Sequence, residues 1–135
     1  MSAIEGKCLC GETKVTLENG EQYKSQILCH CWDCKQTSGS AFSTNILAPK
    51  TEVKIEGPVK EFGVKAPSGN TVTRVFCGNC GSAISHLSVA FGESQAIQTG
   101  NFRFFADVPV SAELFVKDRF TSIPAVPDAN QLQTV

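Results

Sequence analysis

The chain has 135 residues, enough for one core and not for two. With 41% hydrophobic and 19% charged residues it has an ordinary soluble-globular composition, and its apolar runs fall short of the roughly 20 residues that span a bilayer, which excludes a transmembrane reading. Twelve Lys and Arg against 13 Asp and Glu leave a formal net charge of −1, so no basic field exists to hold a phosphate backbone and no nucleic-acid partner is expected.

Taken in order, the chain alternates rather than turning helical. Thr13, Val15 and Leu17 share one side of a run whose other side carries Glu12, Lys14, Thr16 and Glu18, and Asn19-Gly20 supplies the turn after this strand. The next helical turn is expected near residues 33–38, the only place where one fits. Val53 and Ile55 alternate with Glu52, Lys54 and Glu56 before Gly57-Pro58. Residues 59–66 and 71–76 then flank Pro67-Ser68-Gly69-Asn70, the pattern of a hairpin. Further strands are expected at residues 83–91, 95–99 and 112–117. From about Ile123 onward two prolines exclude a regular helix or central strand, so an extended tail is expected. Short strands separated by Gly, Pro and Asn predict an all-β domain of small antiparallel sheets over residues 1–135.

Seven cysteines cannot all close into disulfides. No positive segment followed by an apolar run opens the chain, so the expected setting is reducing and cytoplasmic, where clustered cysteines serve as metal ligands or catalytic groups. They fall in three groups: Cys8-Leu9-Cys10-Gly11, Cys29-His30-Cys31-Trp32-Asp33-Cys34 and Cys77-Gly78-Asn79-Cys80-Gly81. The third is a C-x-x-C-G turn that brings two sulfurs to one point, and Cys8 and Cys10, two apart on extended chain, project from one face. Two plus two gives the closed four-thiolate composition of a structural zinc site. Cys29, Cys31 and Cys34 remain, able to hold a second zinc with a fourth position left open, which is the composition of a catalytic site. Spacing also allows the middle group to close a site with His30 or with a cysteine from another group. Ferredoxin spacings are not matched, so zinc is preferred over an iron–sulfur cluster.

The order C-x-C-G, C-H-C-x-x-C, C-x-x-C-G resembles the glutathione-dependent formaldehyde-activating enzyme family, whose relatives include centromere protein V. The resemblance runs from about residue 6 to about residue 123 and takes in Gly39-Ser40-Ala41-Phe42 and Phe115-Val116-Lys117-Asp118-Arg119. One departure is Lys35-Gln36 after Cys34, where many relatives carry an arginine first. The resemblance implies an all-β, zinc-stapled fold similar to the Mss4-like proteins. It also implies a structural zinc on Cys8, Cys10, Cys77 and Cys80 and a catalytic zinc on Cys29, Cys31 and Cys34. The implied reaction is that of a carbon–sulfur lyase or synthase joining glutathione and formaldehyde.

A divalent ion on three thiolates keeps one surplus negative charge and favours soft ligands, so a substrate thiol entering the fourth position would be held deprotonated. Its addition to an aldehyde carbonyl gives a hemithioacetal, and the reverse cleaves a carbon–sulfur bond. Three other readings are consistent with the same cysteines: a zinc hydrolase or lyase for another reactive carbonyl or glutathione conjugate, a non-catalytic zinc-stapled binding module, and a redox or metal-buffer protein. Outside the cysteines no catalytic residue is assigned. His30 is expected to pack or support the ligands, His86 to be an ordinary strand histidine, and Asp33 to cap the ligand loop. Trp32 suits a wall beside the open position as well as a core. Phe102, Phe104 and Phe105 are expected in the core, and Lys117, Asp118 and Arg119 as a solvated charge cluster.

Overall fold

A computed structural model describes residues 2–135. Two sheets form most of the molecule. The smaller is antiparallel and orders β1 (Ile4–Lys7), β2 (Lys14–Leu17) and β5 (Val53–Glu56) side by side. The larger uses β3 (Gln26–Cys29), β4 (Ser43–Pro49), β6 (Val59–Lys65), β7 (Thr71–Cys77), β8 (Ala83–Leu87), β9 (Ser94–Gln98), β10 (Val110–Leu114) and β11 (Asn130–Gln131). Its order is β11-β10-β3-β4-β9-β8-β7-β6. All its ladders are antiparallel except those of β10, which runs parallel to both β3 and β11. The single α-helix, α1 (Trp32–Ser38), follows β3 directly.

The core lies between the sheets. Val15 and Leu17 from the small sheet meet Ile46, Ala48, Val75, Ile84 and Ile97 from the large one, with Phe102 and Phe105 closing one end. Ile84 and Ile97 are completely buried, each stabilising the fold by roughly 2 kcal/mol on transfer grounds. Cys8 and Cys77 belong to this same apolar cluster, so two of the metal-type cysteines are rooted in the core.

The expected hairpin at Pro67-Ser68-Gly69-Asn70 joins β6 and β7 in register from Val59↔Cys77 to Lys65↔Thr71. The expected strand at 83–91 ends at Leu87, because Ser88 caps a 3-10 turn over Val89–Phe91, its Oγ accepting from the Ala90 N–H at 3.2 Å. The strand expected at 112–117 starts two residues earlier and stops at Leu114, since Phe115 turns left-handed (φ 55°) into a 3-10 turn. The tail adds only the two-residue β11 to the sheet edge. No helix among the described residues is long and apolar enough to cross a membrane.

Candidate metal centres

The fold divides the seven cysteines into two groups. The sulfurs of Cys8, Cys10, Cys77 and Cys80 all lie within 4.8 Å of one another, and so, separately, do those of Cys29, Cys31 and Cys34. Local structure explains the first group. Cys8 and Cys10 follow β1, and Cys77 ends β7, so the register of two different sheets brings the motifs together. Cys8 Sγ is 3.5 Å from Cys10 Sγ, which is 3.8 Å from Cys77 Sγ. Zinc–sulfur bonds of about 2.3 Å place tetrahedral sulfurs about 3.8 Å apart, so these thiols have the spacing of a metal site without rearrangement.

Backbone donors surround that cluster. The Thr13 N–H points at Cys8 Sγ (3.3 Å) and the Asn79 N–H at Cys77 Sγ (3.4 Å). Ser82 lies 3.2 Å from Cys80 Sγ while accepting from the Leu9 N–H, so it ties the two motifs together. Its side-chain and backbone hydrogen bonds push the Cys80 thiol down to about 5.

The second group sits where β3 runs into α1. Cys29 is the last residue of β3, and Cys31 is the N-cap of the helix, its Sγ accepting from the Cys34 N–H at 3.4 Å. One helical turn therefore sets the Cys31-to-Cys34 distance. Asp33 was expected to cap this loop; the cap is Cys31 instead. At the other end Gly39 takes the left-handed conformation (φ 64°) and its N–H returns to the Lys35 carbonyl at 2.9 Å. Cys29 and Cys34 are buried, and Cys31 is partly open.

Beneath α1, five strands present one continuous polar face. Cys29 pairs with Ser43 across β3 and β4, Asn45 with Gln98 across β4 and β9, and His86 with Arg74 across β8 and β7. Asn45 Nδ2 donates to Ser43 Oγ (2.9 Å), and Gln98 Nε2 donates to Asn45 Oδ1 (2.8 Å) and lies 3.3 Å from His86 Nδ1. Because the amide is the donor, His86 Nδ1 is the acceptor. Burial, then the Arg74 charge, push His86 down to about 4, against an opposing pull from Cys34.

Arg74 reaches the cluster itself, with Nη1 3.7 Å from Cys34 Sγ. Hydrogen bonds from Cys29 and Cys31, and then the Ser43 hydroxyl and the Arg74 charge, overcome burial and hold the Cys34 thiol well below its ordinary value. Ser43, Asn45, Gln98 and Arg74 carried no assignment in the sequence. The register pairs that align them are the only feature that singles them out.

His30, between two cluster cysteines, turns away from them into the fold, where Nε2 meets Glu113 Oε1 at 2.7 Å. Glu113 also accepts from the Val126 N–H and Gln131 Nε2, both at 2.8 Å, and Arg119 stands 3.6 Å away. Burial alone would raise the Glu113 carboxyl; the donors Gln131, Val126 and His30, with the Arg119 charge, outweigh it and hold the group below its ordinary value. Lys35 is also buried. Its ammonium lies over the rings of Trp32 (3.9 Å) and Phe120 (4.5 Å) and donates to the Asp118 carbonyl. Of the residues 117–119 expected as a solvated cluster, Lys117 is exposed, the Asp118 carbonyl takes Lys35 of α1, and Arg119 reaches Glu113 and Gln131; Trp32, 57% exposed, is no core residue.

A cavity of about 370 Å³ with a mixed polar and apolar lining opens beside α1, bounded by Ser38, Phe42, Ser43, Ser82, Gln98 and Asn101. A larger groove continues from it past Phe104 to Lys7, Lys14 and Arg103. Of the three phenylalanines expected in the core, Phe102 and Phe105 are there, and Phe104 is 37% exposed along this groove.

Comparison with known proteins gives the same family as the cysteine motifs. A crystal structure of a Rhodobacter sphaeroides protein, solved as a structural-genomics target, superimposes with a TM-score of 0.61 at 16% identity. The match covers 80% of this chain and 100% of that one, a likeness of fold. No curated protein matches the sequence significantly. The sequence model of the glutathione-dependent formaldehyde-activating enzyme family matches residues 3–118, nearly the whole chain, and the protein belongs to that family.

Proposed function

We propose that the protein is a zinc-dependent carbon–sulfur lyase or synthase acting on a thiol–aldehyde adduct, with glutathione and formaldehyde as its substrates. Cys8, Cys10, Cys77 and Cys80 hold a structural zinc in this reading, and Cys29, Cys31 and Cys34 a catalytic one. The observation that carries it is the asymmetry between the two sulfur clusters. Four thiols at metal-site spacing, two of them rooted in the core, make a complete four-sulfur set, whereas the other three, one of them partly open, lie against a guanidinium and a buried polar face.

Cys29, Cys31 and Cys34 would hold a zinc ion whose positive charge would keep an entering thiol deprotonated. The residues of the chain do the rest. Cys31 starts α1 and fixes the separation of the cluster, and His30 locks the loop from behind through Glu113. Cys29 and Cys31 first, and then Ser43 and Arg74, hold the Cys34 thiol below its ordinary value. In the addition itself the thiol sulfur bonds to the carbonyl carbon, the carbonyl π pair moves onto oxygen, and the proton given up by the thiol ends on that oxygen. Cleavage runs the same steps in reverse. The Ser- and Asn-lined cavity beside α1 offers hydroxyl and amide partners to the polar body of a small peptide thiol.

Formaldehyde adds to thiols unaided, so the test compares rates. Magnetization-transfer NMR on equilibrating glutathione, 13C-formaldehyde and their adduct reads exchange directly. The expected result is an exchange rate that rises with protein concentration and returns to the spontaneous value in Cys31→Ser. Exchange equal to the protein-free sample at all concentrations would overturn the assignment.

A further inference from the structure

Arg74 combines three features that packing alone does not require. Its Nη1 points at Cys34 Sγ from 3.7 Å, its Nε is buried with no hydrogen-bond partner, and no carboxylate among the described residues forms an ion pair with it. A partly buried guanidinium left without an acid is costly unless negative charge is supplied to it. Its neighbours supply none: across one ladder it faces His86, which burial keeps neutral, and across the other Phe62. The contact that its guanidinium does make is with Cys34 of the three-cysteine cluster.

We propose that Arg74 is the anion-selecting residue of the three-cysteine centre. The inference rests on the reading of that centre as a metal site with an open fourth position. A divalent ion and three thiolates carry one net negative charge, which the guanidinium cancels. An anionic ligand entering the fourth position then meets a neutral centre rather than a negatively charged one. Arg74 therefore makes the centre select anions, a thiolate or the oxyanion of an aldehyde adduct, over neutral donors of the same size. Ser43 cannot do this alone, since a hydroxyl donates one hydrogen bond and carries no charge.

The test uses two ligands that differ in charge. Cobalt-loaded full-length protein is titrated with thiocyanate and with imidazole, and the visible ligand-field bands are followed in the unaltered chain, Arg74→Met and Arg74→Lys. The expected result is that Arg74→Met weakens thiocyanate by about tenfold or more while imidazole changes little, and Arg74→Lys falls between. Equal weakening of both ligands, or of neither, overturns the selecting role. A centre in the unaltered chain that takes neither ligand overturns the open-position reading and the proposal with it. Circular dichroism and cobalt stoichiometry identify a variant that has not folded; Arg74→Lys, which keeps the charge, then carries the comparison, and it must lose part of the thiocyanate preference because it lacks the planar fork.

Discussion

His30 and Glu113 meet at 2.7 Å with neither side chain exposed to solvent, and through this contact the tail of the chain is joined to the loop between Cys29 and Cys31. Glu113 takes three donors on two oxygens: His30 on Oε1, the Val126 N–H and Gln131 Nε2 on Oε2. A glutamine has one acceptor oxygen, and its amide nitrogen would face two donors on the other side. Glu113→Gln is therefore expected to cost about 3 kcal/mol, close to Glu113→Ala, since both leave buried donors unpaired. Urea unfolding measures the loss, and limited proteolysis after residue 123 should become fast in both variants. A Glu113→Gln protein of undiminished stability would show that the carboxylate is not what holds the tail.

The two cysteine groups should respond differently to removal of one sulfur. Cys77 is 1% exposed and lies in the core cluster, so Cys77→Ser both breaks the four-sulfur group and places a hydroxyl among apolar side chains. Metal-binding free energies of about 10 kcal/mol or more act as folding free energy in small thiolate sites, so Cys77→Ser is expected to lose cooperative folding. Cys31→Ser keeps the helix start, because serine is itself a favoured N-cap and its Oγ can accept the Cys34 N–H. It should fold, bind one metal instead of two and show no catalysis. Metal analysis beside an unfolding curve decides the matter; equal destabilisation of the two variants would remove the distinction between the groups.

The three cysteine motifs could be read from the sequence because each is local: two residues on extended chain, one turn of helix, one C-x-x-C-G turn; spacing left their pairing open, and the fold brings Cys8 and Cys10 to Cys77 and Cys80. The alternating runs around Val15 and Ile55 were equally plain, each having one face toward the core and one more open. β3 and β4 gave no such pattern. Leu28 and Cys29 are buried side by side, as are Asn45 and Ile46, so both faces of these strands are covered and alternation vanishes. The polar face formed by Ser43, Asn45, Gln98, His86 and Arg74 draws on four strands, and only their register aligns it. Arg74 sits 40 positions from Cys34 in sequence, and Glu113 is 83 from His30. Nothing local to any of these residues points to the other.

His86 gives the stability a pH dependence of known sign. Its pKa falls from 6.5 to about 4 on folding, so between these values the unfolded chain binds more protons than the folded one. The stabilisation is complete above pH 6.5 and is lost as pH falls toward 4, amounting to about 3 kcal/mol over the interval. His86→Gln has no such group. Measured by denaturant at pH 7 and at pH 5, the stability difference between the unaltered protein and His86→Gln should narrow at the lower pH. Loss of metal in acid affects both proteins and cancels in the difference. Parallel pH profiles would mean that His86 has the same pKa in the folded and the unfolded chain.

Two glycines shape the Cys77–Cys80 turn, Gly78 within it and Gly81 just after it, and they should differ in what they tolerate. At Gly78 an added Cβ would lie 2.5 Å from the Pro58 carbonyl oxygen, which also accepts the Gly78 N–H, so an alanine must push β6 away from the turn and break that bond. At Gly81 a Cβ meets nothing within 4 Å, and the only cost is the left-handed backbone at φ +81°, about 1 kcal/mol for alanine and less for asparagine. Gly78→Ala is expected to release metal to a chelator at least about tenfold faster than Gly81→Ala, because the backbone it displaces carries Cys77 and Cys80. Gly81→Asn should release it at nearly the unaltered rate. Chelator-driven release followed spectrophotometrically gives the order, and a Gly81→Ala protein that loses metal faster than Gly78→Ala would show that backbone conformation, not the closeness of β6, limits this turn.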